Sequence, residues 1–127
     1  MIISDNKTVR DIQQEFHAQF PGLRMEFYAI PHAAGEASPA QEQLDPELKL
    51  KFVRELHNKE ELKVDPSMSV ADFEQALADH FGLNAQVFRK SGNLWMQTTS
   101  TDHWTLSEQN RKGLSSVTHY DQKHKDL

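Results

Sequence analysis

The chain has 127 residues, 37% of them apolar, a formal net charge of −5 and no cysteine. That length supports one hydrophobic core without covalent staples, and the missing thiols exclude disulfides, thiolate zinc sites and cysteine nucleophiles. The acidic balance weighs against broad nucleic-acid affinity, which rests on a basic field. The start Met1-Ile2-Ile3-Ser4-Asp5 lacks the features of a signal peptide, and no run reaches membrane-spanning length. The expected location is the cytoplasm, with no membrane partner.

Taken in order, Met1 to Ile3 read as a strand. Thr8 followed by Asp11 is a helix-start signal, in which the hydroxyl accepts from an orphan N–H and the carboxylate sits at the positive end of the dipole. Val9, Ile12, Phe16 and Phe20 form one apolar stripe, Pro21-Gly22 stops the helix, and Leu23 to Tyr28 read as a strand. The pattern then recurs. Leu62 to Val64 read as a strand, Ser69 and Asp72 as a helix start, Val70, Phe73, Leu77 and Phe81 as the stripe, Gly82 as the stop, and Ala85 to Phe88 as the next strand. The chain reads as a β-α-β unit written twice.

Between the copies, residues 31–43 are small, polar and interrupted by Pro31, Gly35 and Pro39, the composition of a mobile loop. Asp45-Pro46-Glu47 resembles an N-cap with proline at the first helical position, and Leu48, Phe52 and Leu56 would follow as a stripe. The alternation of Leu48, Leu50 and Phe52 with lysines also fits a strand; the start signal favours a helix over 46–56. Beyond the second copy, Val87 to Lys90, Ser91-Gly92 and Asn93 to Thr98 predict a β-hairpin. Thr105 and Glu108 form another capping-box pattern, predicting a short helix ended by Gly113. The expected domain is 1–113, and the polar tail 114–127 is expected to fray. These elements predict an α+β, two-layer sandwich of two β-α-β units plus hairpin and short helix, with one largely continuous mixed sheet in the spirit of ferredoxin-like folds.

The unmatched extension from Arg89 to Lys112 holds both tryptophans, and it concentrates the candidate ligand- or partner-binding residues Arg89, Lys90, Trp95, Gln97, Asp102, His103 and Trp104. Tryptophan and arginine are favoured at recognition surfaces, although the same tryptophans could close a small core. Arg89-Lys90-Ser91-Gly92 could hold an anion or serve as a solvated tip. No glycine-rich phosphate loop or His-x-x-x-His spacing occurs, so no cofactor, metal or catalytic residue is assigned.

From Val87-Phe88-Arg89-Lys90-Ser91-Gly92-Asn93-Leu94-Trp95 to Thr101-Asp102-His103-Trp104-Thr105-Leu106 and Gln109-Asn110, the chain resembles a small family of uncharacterised bacterial proteins. The resemblance implies an intracellular bacterial α+β domain and carries over no activity. The function expected first is non-catalytic: a binding or adaptor domain for a protein or a small acidic ligand, acting as a monomer or weak homodimer. One alternative is a small hydrolase or transferase near Asp102, His103 and Gln97. Another is a single-stranded nucleic acid binder with Phe27, Tyr28, Phe88 and Trp95 as a stacking platform.

Overall fold

Helix α1 (Val9–Gln19) starts where its cap dictates. The Thr8 hydroxyl accepts from the Asp11 N–H at 3.1 Å while Asp11 accepts from the Thr8 N–H at 2.9 Å. Helix α2 (Val70–Phe81) starts on Ser69, which accepts from the Asp72 N–H at 3.0 Å, and ends on Gly82 in the left-handed region at φ 66°. Val9, Ile12 and Phe16 on one helix and Val70, Phe73 and Leu77 on the other are fully buried. The rings of Phe16 and Phe73 stack at 5.2 Å, joining the two helices at the centre of the core.

A computed structural model describes residues 1–124 and shows an α+β domain. Its strands are β1 (Ile2–Ile3), β2 (Leu23–Tyr28), β3 (Glu60–Glu61), β4 (Asn84–Ser91) and β5 (Leu94–Gln97). The expected single mixed sheet is corrected to two separate sheets, β1-β3 and β2-β4-β5, in which every pairing is antiparallel. In a ferredoxin-like plan the strands after the helices flank those before them; here β2 and β4 pair with each other, Leu23 opposite Arg89 through Tyr28 opposite Asn84. The sheet stops at β2 because its outer edge is occupied. His17 Nδ1 donates to Leu23 O at 2.6 Å, Gln13 Nε2 to Met25 O at 2.9 Å and the Leu44 N–H to Phe27 O at 2.8 Å. The strand expected at 62–64 lies slightly earlier, and the Leu62 N–H extends it by bonding Met1 O at 2.7 Å.

Residues 46–56 do not form the expected helix; only one 3-10 turn, Leu50–Phe52, is present. The backbone there is already committed to the start of α1. The Val9 N–H donates to Leu48 O at 2.9 Å, the Arg10 N–H to Pro46 O at 2.8 Å, and the Leu50 N–H to Lys7 O at 2.9 Å. These carbonyls point at orphan donors of α1 and the Leu50 N–H at Lys7 O, which orients the segment's backbone towards α1 rather than along a helix of its own. The second half uses the same plan, with the Val70 N–H on Trp104 O at 3.0 Å, the Ala71 N–H on Asp102 O at 2.8 Å and the Leu106 N–H on Met68 O at 3.0 Å. Segments 46–50 and 102–106 thus make matching backbone bonds to the starts of α1 and α2, and Leu50 and Leu106 are both fully buried in the core.

The expected hairpin forms with its turn one residue later, at Gly92-Asn93 rather than Ser91-Gly92, and φ is positive only at the glycine, the sign pattern of a type II′ turn. The final helix, α3 (Leu106–His124), is longer than expected and passes through Gly113 without ending. Its capping box is present, Thr105 accepting from the Glu108 N–H at 3.0 Å and the Thr105 N–H reaching Glu108 at 3.3 Å. Gly113 is where the helix crosses the backbone of Gly22, and further along Ser116 donates to Lys90 O at 2.8 Å. The tail expected to fray is thus helical as far as His124, and the remainder of that expectation, 125–127, lies outside the described residues.

Candidate functional site

Strand alternation separates the residues grouped by sequence. Lys90 pairs with Trp95 and Phe88 with Gln97, so these four share one face of the sheet, while Arg89 lies on the helix-packed face with Met25 and Val87. Arg89 Nη1 donates to Gln109 Oε1 at 3.0 Å, and its guanidinium lies 5.6 Å from the Trp104 ring centre. Gln109 is fully buried and donates to Thr101 O at 2.6 Å. Arg89 and Trp104 therefore anchor the start of α3, with exposed His103 edge-on to Trp104. Gln97 accepts from the Ser38 N–H and donates to Ser38 O, both at 3.0 Å, and Asp102 accepts from the Gly35 N–H at 2.7 Å. Gln97 and Asp102 fasten 31–43, the loop expected to be mobile.

In the hydrolase grouping, Gln97 bonds the Ser38 backbone, Asp102 the Gly35 N–H, and His103 lies against Trp104. The stacking platform is not assembled: Phe27 and Tyr28 are buried. The hairpin tip offers no free anion nest, since the Gly92 N–H donates to Ser116 Oγ at 3.2 Å and Arg89 is bound to Gln109.

What assembles on the outer face is a cluster around Trp95. Lys90 Nζ lies 5.0 Å and the Arg24 guanidinium 5.4 Å from its ring centre, with the His17 ring edge-on at 6.1 Å. Arg24 also covers Phe88 at 5.5 Å, and its Nη2 is 3.3 Å from Glu26 Oε1. Its Nε is buried without a hydrogen-bond partner. Between this face and α1 runs a groove of about 360 Å³ lined by Gln13, His17, Arg24, Glu26 and Trp95. Each cation over an aromatic face contributes roughly 0.5–1 kcal/mol at such partly exposed positions, and it keeps the ring and charges in one array. Arg24 was absent from the sequence-derived set, because its place depends on the pairing of β2 with β4.

A second cluster locks the loop. His32 Nε2 lies 2.9 Å from Ala85 O and Nδ1 3.0 Å from Ala33 O. A carbonyl only accepts, so both nitrogens are satisfied when both carry protons, as in the imidazolium. Burial opposes that charge, but the two carbonyls, together with Glu74 and Asp102, outweigh it and raise the His32 pKa. Glu74 Oε1 is 3.7 Å from His32 Nε2, and Oε2 accepts from the Val87 N–H at 2.7 Å. Burial pushes the Glu74 carboxyl up to about 7 against the lowering effects of Val87 and His32. The adjoining cavity of about 110 Å³ is small and partly lined by Ala71, Ala78 and Ala85.

Both shifts have the same linkage sign, since each group binds its proton more tightly in the folded state. Their stabilisation is complete below the unfolded pKa values and is lost as pH rises through the folded ones. The Glu74 shift, from 4.5 to about 7, is expected to lower wild-type stability by about 2–3 kcal/mol from about pH 5 to about pH 8, at ~1.4 kcal/mol per pK unit, and His32 acts in the same direction. Glu74→Gln keeps an oxygen for the Val87 N–H and should flatten that slope in urea titrations at each pH. Asp5 does not blur the window: burial opposes its shift, but Arg54 and His57 hold its carboxyl below the usual range, so its contribution is lost only at lower pH. An unchanged slope in Glu74→Gln would remove the pair as its source.

No protein-family model, curated protein or solved structure matches this chain. Among the described residues, no helix is long and apolar enough to cross a membrane and no three His, Asp or Glu side chains are grouped to hold a metal ion.

Proposed function

We propose that this chain is a non-catalytic recognition domain that binds a carboxylate-rich segment of a partner protein in the groove between α1 and the Trp95 face. The observation that carries the reading is Trp95 flanked by Lys90 and Arg24 at 5.0 and 5.4 Å, a local cationic array on a chain of net charge −5. Partly desolvated cations beside an indole suit a carboxylate, which gains charge-assisted hydrogen bonds while the ring covers the aliphatic stem. Lys90 and Trp95 act here, Gln97 lies on the same face fastened to Ser38, Arg89 and Trp104 brace the opposite face, and Asp102 holds the 31–43 loop. The same reading takes the two halves as a duplicated unit in a single domain. It places the chain in the cytoplasm, in keeping with a sequence without a thiol to oxidise.

The test is titration with a labelled oligoglutamate peptide, followed by fluorescence anisotropy at low and moderate salt. Binding should weaken with salt. Lys90→Glu and Trp95→Ala should each lower affinity about 10-fold or more, the scale of a hot-spot truncation, while Trp104→Phe should not. Equal affinities for wild type and both groove variants would reject the site.

A further inference from the structure

The three-stranded sheet has one closed edge and one open edge. On β2 the outward carbonyls of Leu23, Met25 and Phe27 are all occupied. On β5 the alternation follows from its neighbour. The Lys90 N–H bonds Gly22 O on the β2 side, and Val87 O accepts the Thr98 N–H on the β5 side. Arg89 and Ser91 therefore bond towards β5 through their partners Met96 and Leu94. Trp95 and Gln97 turn their backbone N–H and C=O groups away from the sheet. Among the described residues no hydrogen bond reaches those outward groups. The strand has no proline or charged side chain, and Leu94 and Met96 are 65% and 49% exposed. Soluble proteins ordinarily blunt such an edge with lysine, proline or a bulge.

We propose that β5 is a self-association surface. A second copy of this chain docks its own β5 antiparallel, with Trp95 opposite Trp95 on a twofold axis, to give a continuous sheet β2-β4-β5-β5-β4-β2. Register and burial together select this arrangement. Centring on Trp95 sets the outward backbone groups of the two Trp95 residues opposite each other, whereas centring on Met96 keeps the hydrogen-bonding phase but sets Leu94 opposite the buried Thr98. The Trp95-centred register sets Leu94 of each copy opposite Met96 of the other, on one face, so four exposed apolar side chains cover one another. A slip of one residue would send facing side chains to opposite faces and misalign the hydrogen-bonding groups. The strand carries no charged side chain, so no like-charged residues stand opposite each other within the β5–β5 pair. The inference uses the outer backbone edge of β5 and the Leu94–Met96 face, whereas the acidic-partner reading uses the Trp95 side chain on the other face.

A contact centred on one four-residue strand is smaller than a standard stable interface, so the dimer should be weak and concentration-dependent. Light scattering on the full chain from micromolar to millimolar concentration should show a rise towards twice the monomer mass. Leu94→Lys combined with Met96→Lys should weaken association about 10-fold or more, with an unchanged circular dichroism spectrum because both side chains are exposed. The absence of cysteine allows a second measurement. Trp95→Cys should oxidise to a covalent dimer, since facing hydrogen-bonded residues lie ~5.5 Å apart, within disulfide range; Thr118→Cys on the exposed face of α3 should remain monomeric. A monomer at every concentration, a dimer that survives the double lysine variant, or equal cross-linking at both cysteine positions would overturn the proposal.

Discussion

Arg54→Ala is expected to lower stability by about 3–5 kcal/mol, the usual cost of removing one member of a buried charged network. The Arg54 side chain has 0% exposure. Its Nε donates to Asp5 Oδ1 at 2.9 Å, Nη1 to Phe81 O at 3.1 Å and Asn58 Oδ1 at 3.2 Å, and Nη2 to Asn58 O at 2.6 Å. One guanidinium thus joins the loop before α1, the C-terminal carbonyl of α2 and the approach to β3. Phe81 O belongs to the orphan carbonyls of a helix end, where a cation also complements the dipole. Alanine would leave that carbonyl without its donor and open a void. Lysine would keep the charge but not the planar fork, so Arg54→Lys should recover only part of the loss. Urea unfolding midpoints measure both; a loss below about 1 kcal/mol for alanine, the scale of an exposed ion pair, would refute the role.

Gly113→Ala is the second large effect, and its sign is informative. In a free helix the change is stabilising by about 1 kcal/mol. Here a Cβ on Gly113 would be driven onto the Gly22 carbonyl oxygen, with Gly22 C at 3.0 Å and Cα at 3.1 Å. All three obstacles are backbone, so no side-chain rotation relieves them, and α3 must lift from the β2 turn. A net loss of about 1–3 kcal/mol is expected, the range for overpacking. Gly22→Ala meets the Asn110 carbonyl from the other side and should act in the same direction. Because both changes open one crossing, the double variant should lose less than the sum of the singles. Thermal unfolding of the four proteins decides it, and a stabilised Gly113→Ala protein would mean that α3 is not held there.

Helix starts at Thr8, Ser69 and Thr105, the stripes of α1 and α2 and the β4-β5 turn were legible in the sequence, because each is governed by residues within about one helical turn or hairpin. The continuation of α3 was hidden, since its packed stripe passes through Gln109, Gly113, Ser116 and Tyr120 rather than aliphatic residues. The helix expected over 46–56 failed for a different reason. Asp45-Pro46-Glu47 is a sound local start signal, but the carbonyls of Pro46 and Leu48 serve α1 instead.

The candidate site divides in the same way. Lys90 and Trp95 were found because cations and indole rings are conspicuous and sit close along a hairpin. Arg24 joins them only through the register of β2 against β4, and His32 meets Glu74 only when 31–43 folds over the end of β4. The sequence by itself determined the α+β class, the caps and the core positions of α1, α2 and the hairpin. Tertiary structure decided the two antiparallel sheets, the length of α3, the grouping around Trp95 and the open edge of β5. The physical reason is range: caps, stripes and tight turns are satisfied by near neighbours, whereas sheet edges, backbone crossings and shared protons depend on partners supplied by the other half of the chain.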